Sequence, residues 1–126
     1  MSYIYNFEKL EVWKQARLFV VDIYTLTRKY PAEEKFGLCS QMQRASVSII
    51  LNITEGTSRF SDKEKIRFTE IAYTSLMEVL TQLYVSIDLE YISQSQLDAL
   101  KVKIDLIAIQ LNGLVKSYKN RANNKE

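Results

Sequence analysis

Histidine is absent from this chain of 126 residues, cysteine and proline occur once each, and glycine occurs three times. Without histidine there is no Ser-His-Asp triad, no histidine-containing zinc site and no Glu-x-x-His di-iron motif. The lone cysteine, Cys39, excludes an intrachain disulfide and any multi-cysteine zinc or iron–sulfur site. With no histidine to activate it, Cys39 reads as a small helix-packing residue. So few turn-makers argue against an all-β fold, whose tight turns need glycine and proline, and make long helices the default. No run approaches the ~18–20 uninterrupted apolar residues of a membrane span. The most apolar stretch, 45–53, is cut by Ser46, Ser48 and Asn52. No basic leader followed by an apolar core opens the chain, so a cytoplasmic protein without a secretory signal is expected.

What is present suits one soluble globular domain: 47% hydrophobic and 25% charged residues, at a length typical of a single core. Four periodic segments stand out. In the first, about Phe7 to Tyr30, Leu10, Trp13, Ala16, Val20, Ile23 and Thr27 recur at steps of three and four, the mark of one helical face. Pro31 stops it and suits the first turn of the next helix, where Glu33 and Glu34 meet the positive end of the dipole. The second, about Ala32 to Glu55, carries Phe36, Cys39 (or Leu38), Met42, Ala45, Ile49 and Ile53. Gly56 is expected to close it in the left-handed conformation that glycine adopts without penalty.

Ser61-Asp62-Lys63-Glu64 reads as a capping box opening a third helix to about Tyr91. One of its faces holds Phe68, Ala72, Ser75, Val79 and Leu83; a second holds Tyr73, Leu76, Leu80, Tyr84, Ile87 and Tyr91. Ser93-Gln94-Ser95-Gln96 is a second box, opening a last helix through Leu97, Leu100, Ile104, Ile107, Leu111, Leu114 and Tyr118, with a frayed tail over about 120–126. Connections this short fold consecutive helices back on one another. The expectation is an all-α, antiparallel up-down-up-down four-helix bundle, one domain over residues 1–126.

Three features go beyond a generic bundle. First, apolar residues fall on more than one face of the later helices: Val47, Ile50 and Leu51; Tyr73, Leu80 and Tyr84; Val102, Leu106 and Ile109. Surplus apolar surface marks an interface, so a homo-oligomer is expected, with the leader Tyr3-Ile4-Tyr5 suited to a neighbour's groove. Second, Arg44, Ser48, Asn52 and Glu55 line one side of the second helix and face Glu70, Thr74, Glu78 and Gln82 of the third. This reads as a buried, register-fixing polar layer with an Arg44–Glu78 pair, and less readily as a small-anion or catalytic pocket of Arg44, Glu55 and Glu78. Third, the topology gathers nine cations at one end of the bundle, Lys9, Arg59, Lys63, Lys65, Arg67, Lys116, Lys119, Arg121 and Lys125, against six acids. The opposite end is balanced. In an oligomer the excess becomes a concentrated positive field suited to the phosphates of RNA or DNA, with Phe60 beside Arg59 to stack on an exposed base.

The segments Glu11-Val12-Trp13-Lys14-Gln15-Ala16, Tyr30-Pro31, Glu34-Lys35-Phe36-Gly37-Leu38, Gln41-Met42-Gln43-Arg44-Ala45, Ser48-Ile49, Asn52-Ile53-Thr54-Glu55-Gly56, Arg59-Phe60-Ser61 and Ser75-Leu76-Met77-Glu78 together resemble the four-helix-bundle proteins encoded within intervening sequences of bacterial 23S rRNA genes. That superfamily includes the accessory variability determinant of diversity-generating retroelements. The resemblance runs from about Phe7 to Tyr118 and implies a pentameric barrel. In the retroelement relatives it also implies binding to nucleic acid and a reverse transcriptase. Gln43-Arg44 stands where the family often has two basic residues, and Ile50-Leu51 where it often has Pro-Ser. The overall expectation is a non-enzymatic, self-associating binding or scaffold protein without cofactor, metal or membrane. A protein-only adaptor is the alternative.

Overall fold

The computed structural model describes residues 2–124. Four helices make up the bundle: α1 (Glu11–Thr27), α2 (Leu38–Ser58), α3 (Asp62–Asp88) and α4 (Gln94–Asn123), with 3-10 turns at Asn6–Lys9 and Ala32–Glu34. Each helix packs against the next in chain order and α4 returns to α1, as the short connections require. The core is a continuous apolar column that includes Phe19, Ile23, Met42, Ile49, Ile53, Leu76, Leu83, Ile104, Ile107 and Leu111, all fully buried. Burying each such side chain contributes about 1.5–3 kcal/mol. None of the helices is long and apolar enough to cross a membrane, among the described residues.

Several local expectations are corrected. The first helix starts at Glu11 because Leu10 is extended (ψ 127°), and the preceding turn is closed by the Glu8 carboxylate accepting from the Tyr5 amide at 2.7 Å. Its inward row is Val12, Ala16, Phe19, Ile23 and Thr27, which leaves Trp13 and Val20 half-buried on the flank toward α2. Residues 32–34 form only a 3-10 turn, and Gly37 (φ −108°, ψ −111°) breaks the chain before α2. Phe36 therefore leaves the expected stripe and stands 88% exposed. On α3, Leu76 belongs to the core and not to an outer face.

Gly56 does not cap α2. The helix runs through it to Ser58, and no glycine among the described residues has positive φ. A Cβ here would lie 3.2 Å from the Lys65 carbonyl oxygen and 3.2 Å from Thr69 Oγ1. The missing side chain is what lets α2 and α3 approach this closely. The left-handed residue of the fold is instead Glu90 (φ 64°), in the α3–α4 turn. There the Glu90 amide donates to the Ile87 carbonyl and the Tyr91 amide to the Ser86 carbonyl, both at 2.9 Å, which is a Schellman closure.

Of the two capping boxes, Ser93 and Gln96 exchange both bonds. Ser61 accepts from the Glu64 amide, but the Glu64 carboxylate turns to Arg67. Instead of fraying at Asn120, α4 continues to Asn123, because Arg121 donates twice to Asp62 Oδ1, at 2.9 and 2.6 Å. At the opposite end a polar knot ties the α1–α2 connection to α3. Tyr30 Oη donates to Ser86 Oγ at 2.7 Å, Tyr91 Oη donates to Glu34 at 3.0 Å, and Cys39 Sγ donates to the Thr27 carbonyl. Burial raises the pKa of the Tyr30 phenol and the Cys39 thiol, whereas Tyr91 is raised first by its hydrogen bond to the Glu34 carboxylate.

Candidate functional site

The basic end is where α2 stops, α3 starts, α4 finishes and the N-terminal turn lies alongside. Lys125 and Glu126, counted there from the sequence, lie outside the described residues; the remainder is eight cations against the five acids Glu8, Glu11, Glu55, Asp62 and Glu64. Among the described residues, Arg59, Arg67 and Arg121 already meet carboxylates. Arg59 bonds Glu55 at 2.8 Å, Arg67 bonds Glu64 at 3.4 Å, and Arg121 bonds Asp62. Two aromatic rings organise these three arginines and Lys65. The guanidinia of Arg59 and Arg67 sit 4.7 and 5.4 Å from the centre of Phe68. Lys65 Nζ and the Arg121 guanidinium sit 5.8 and 5.7 Å from the centre of buried Tyr118. Burial raises the Tyr118 pKa, partly opposed by the Arg121 charge. The hydrogen bond from Arg121 to Asp62 in turn raises the pKa of the guanidinium.

The eight residues expected to contact nucleic acid, Arg59, Phe60, Lys63, Lys65, Arg67, Lys116, Lys119 and Arg121, do not form one patch. Lys116 and Lys119 line a groove of about 780 Å³ between α3 and α4, together with Glu70, Tyr73, Asn120 and Asn123. Arg59, Phe60 and Lys65 line another, of about 520 Å³, between the α2–α3 linker and the N-terminal turn. Lys63 and Arg67 are exposed and line neither groove. Sequence reasoning missed that Tyr5, Asn6 and Phe7 form the second wall of the smaller groove. The alternation of aromatics at positions 3, 5 and 7 is the signal that marks them.

The polar row is shorter than its spacing suggests. Ser48 Oγ and Ser75 Oγ share a hydrogen bond of 2.8 Å across α2 and α3, and Asn52 donates to the Ser48 carbonyl and hydroxyl. Arg44, Glu55 and Glu78 are exposed. Arg44 and Glu78 line one open groove with Gln41 and Gln82, but no ion pair joins them within 4.0 Å. Two steps of four carry the row about 80° around the helix and the last step of three returns it about 60°, so Arg44 and Glu55 share the outer edge of α2 while Ser48 and Asn52 between them turn toward the core. Glu55 is then drawn to Arg59.

Of the apolar residues expected at an interface, Leu51 and Tyr84 are exposed, Val47 is half-buried, and Ile50, Tyr73 and Leu80 pack against the core. The larger unshielded surface is the expected α4 set, joined by an α1 face that was not expected. On α4, Val102 (71% exposed), Leu106 and Ile109 (70%) point away from the core; on α1, Leu18 and Val21 are likewise open. An ion pair of 2.7 Å between Asp22 and Lys103 ties these two helices together.

Comparison with known proteins places this arrangement among relatives. The family model described as 23S rRNA-intervening sequence protein matches residues 8–113. Among solved structures, the chain is similar to a protein of unknown function from the S23 ribosomal protein family of Bacteroides thetaiotaomicron. The two share 27% identity and a TM-score of 0.77 over 83% of this chain and 95% of that one. No curated protein matches.

Proposed function

We propose that this chain, which belongs to the 23S rRNA-intervening sequence protein family, is a non-enzymatic self-associating module whose basic end meets the phosphates of RNA or DNA. The observation that carries the reading is the row Val102, Leu106 and Ile109 on α4. Steps of four and three keep these side chains on one side of the helix for two turns, opposite Ile104, Ile107 and Leu111. Ala99, three residues before, and Gly113, four residues after, continue the row with little bulk; a Cβ on Gly113 would meet nothing within 4 Å. Single surface hydrophobes are ordinary, but a seam spanning turns of one helix is what a partner covers. A second copy is the partner offered here, in the closed ring of five that the family resemblance implies, which brings several basic ends onto one face.

Light scattering on the eluting protein at ~100 µM should return a multiple of the subunit mass, and Leu106→Glu with Ile109→Glu should reduce it to one subunit. One subunit's mass for the unaltered chain overturns the assembly and moves these faces to the adaptor reading. Binding to RNA or DNA should weaken with salt along a log–log slope of about −0.7 to −0.9 per phosphate neutralised, and absence of binding at ~50 mM salt removes the nucleic-acid role.

A further inference from the structure

Phe60 is completely exposed, at the tip of a linker only a few residues long. It contributes nothing to the core, yet it is held in place. Arg59 before it is extended (φ −77°, ψ 151°), and Ser61 after it is fixed as the cap of α3. Across the groove stands a ladder of rings. Tyr3 meets Tyr5 edge to face at 5.0 Å, Tyr5 lies parallel to Phe7 at 6.3 Å, and Phe7 leans on Trp13 at 5.2 Å. Trp13 anchors the ladder, since its indole N–H donates to Thr54 Oγ1 of α2 at 3.0 Å. Exposed aromatic rings on both walls, Phe60 and Tyr5, a cation in the linker and a space of about 520 Å³ are therefore assembled at one place. That volume lies in the ~300–1,000 Å³ range of sites that enclose small organic groups.

We infer that this groove receives an unstacked nucleobase of a single-stranded nucleic acid, stacked against Phe60 and Tyr5, with the Arg59 guanidinium on the adjoining phosphate. The inference rests on the nucleic-acid reading of the basic end and specifies its strand. A duplex hides the faces of its bases, so the rings gain nothing from it, whereas every base of a single strand offers a π-face. Arg59 is available for the exchange because its partner Glu55 is an exposed neighbour one turn away, a pair of small net worth in water. Glu55 is the acid that opposes the strand.

The test uses the full chain and fluorescence anisotropy with a labelled RNA and a labelled DNA of about 12 nucleotides, and the corresponding duplex. Either single strand should bind more tightly than the duplex, and the ratio of the two identifies the strand. Phe60→Ala should weaken single-strand binding roughly 5- to 150-fold with the salt slope unchanged, and Phe60→Trp should restore it. Tyr5→Ala should act in the same direction. Lys116→Gln with Lys119→Gln should lower the salt slope and leave the preference for single strands intact. Failure of all the nucleic acids to bind removes the basic-end reading and this one with it. Equal binding of duplex and single strands, or full affinity in Phe60→Ala, overturns the stacking groove and leaves the basic-end reading standing. Phe60 has no packing to lose, so an unchanged circular dichroism spectrum in its variants certifies the comparison.

Discussion

Gly56→Ala isolates the contact on which the basic end is built. Inside a helix the substitution ordinarily gains about 1 kcal/mol, because alanine loses less backbone entropy than glycine. Here the new methyl meets two atoms at 3.2 Å that cannot step aside independently. The Lys65 oxygen belongs to the α3 backbone and accepts a 2.8 Å hydrogen bond from the other obstacle, the buried Thr69 hydroxyl. Phe68 Cβ, at 3.6 Å, closes the third side. Forcing an atom into an unyielding interior costs about 1–3 kcal/mol. With two obstacles that cannot move apart the cost falls in the upper part of that range, about 2–3 kcal/mol, so a net loss of about 1–2 kcal/mol is expected for the variant. Urea unfolding followed by helical ellipticity should show the midpoint fall by about 0.5–1 M with an unchanged slope. Gly56→Asn separates this from the capping role read in the sequence: a left-handed cap tolerates asparagine better than alanine, whereas a close approach rejects the larger side chain at least as strongly. A Gly56→Ala variant as stable as the unaltered chain would refute the packing account.

Two further outcomes concern the raised tyrosine and cysteine pKa values and the α3–α4 turn. The pKa values of Tyr30, Tyr91 and Tyr118 are raised above the ordinary 10.0 and that of Cys39 above 9.0, so the folded state holds these protons more tightly than the unfolded chain. Their contribution is fully present below the unfolded values and is lost as pH rises through the folded ones. The thermal midpoint should therefore hold steady near neutrality and fall above about pH 9, less steeply in Tyr30→Phe, and a constant midpoint to about pH 11 would contradict the assignment. Glu90→Gly should stabilise by about 0.5–1 kcal/mol in the same urea assay, because a β-carbon at φ 64° is disfavoured and Glu90 is exposed. A destabilised Glu90→Gly would show that the side chain supports the turn in some other way.

Gly56 and Glu90 show where the sequence was legible and where it was not. The periodicity of four segments, the serine caps and the scarcity of turn residues suffice for the bundle, since those signals are local. Whether a glycine ends a helix or admits a neighbour depends on what crosses it, and for Gly56 that is Lys65 and Thr69, nine and thirteen positions away. The left-handed turn was hidden because glutamate, not glycine, occupies it. The site divides in the same manner. Arg59 and Phe60 announce themselves by adjacency in a polar linker, whereas Tyr5 and Phe7 join them across more than fifty residues of chain. The polar row failed at its ends, because Arg44 and Glu55 fall within about 20° of each other on the outer edge of α2, while Ser48 and Asn52 between them turn inward.

The count of charges at the basic end also misleads until its carboxylates are placed. Arg59 and Arg67 are paired to neighbours on their own helices or within a turn of them, with both partners of each pair substantially exposed. Such pairs are worth about 0–1 kcal/mol, and a phosphate can replace the carboxylate at little cost. The pair of Arg121 with Asp62 differs, because the carboxylate is buried and receives two donors on one oxygen while the same guanidinium covers Tyr118. Breaking it would strip a buried charge of charge-assisted bonds, each worth about 1.5–3 kcal/mol. Arg121 is thus committed to holding α4 against α3. Lys116 and Lys119, five and two residues earlier on the same helix and in no ion pair within 4.0 Å among the described residues, are left to carry the field. Structural and electrostatic duties therefore separate along the last turns of α4, and a variant that removes Arg121 reports on folding where one that removes the lysines reports on binding.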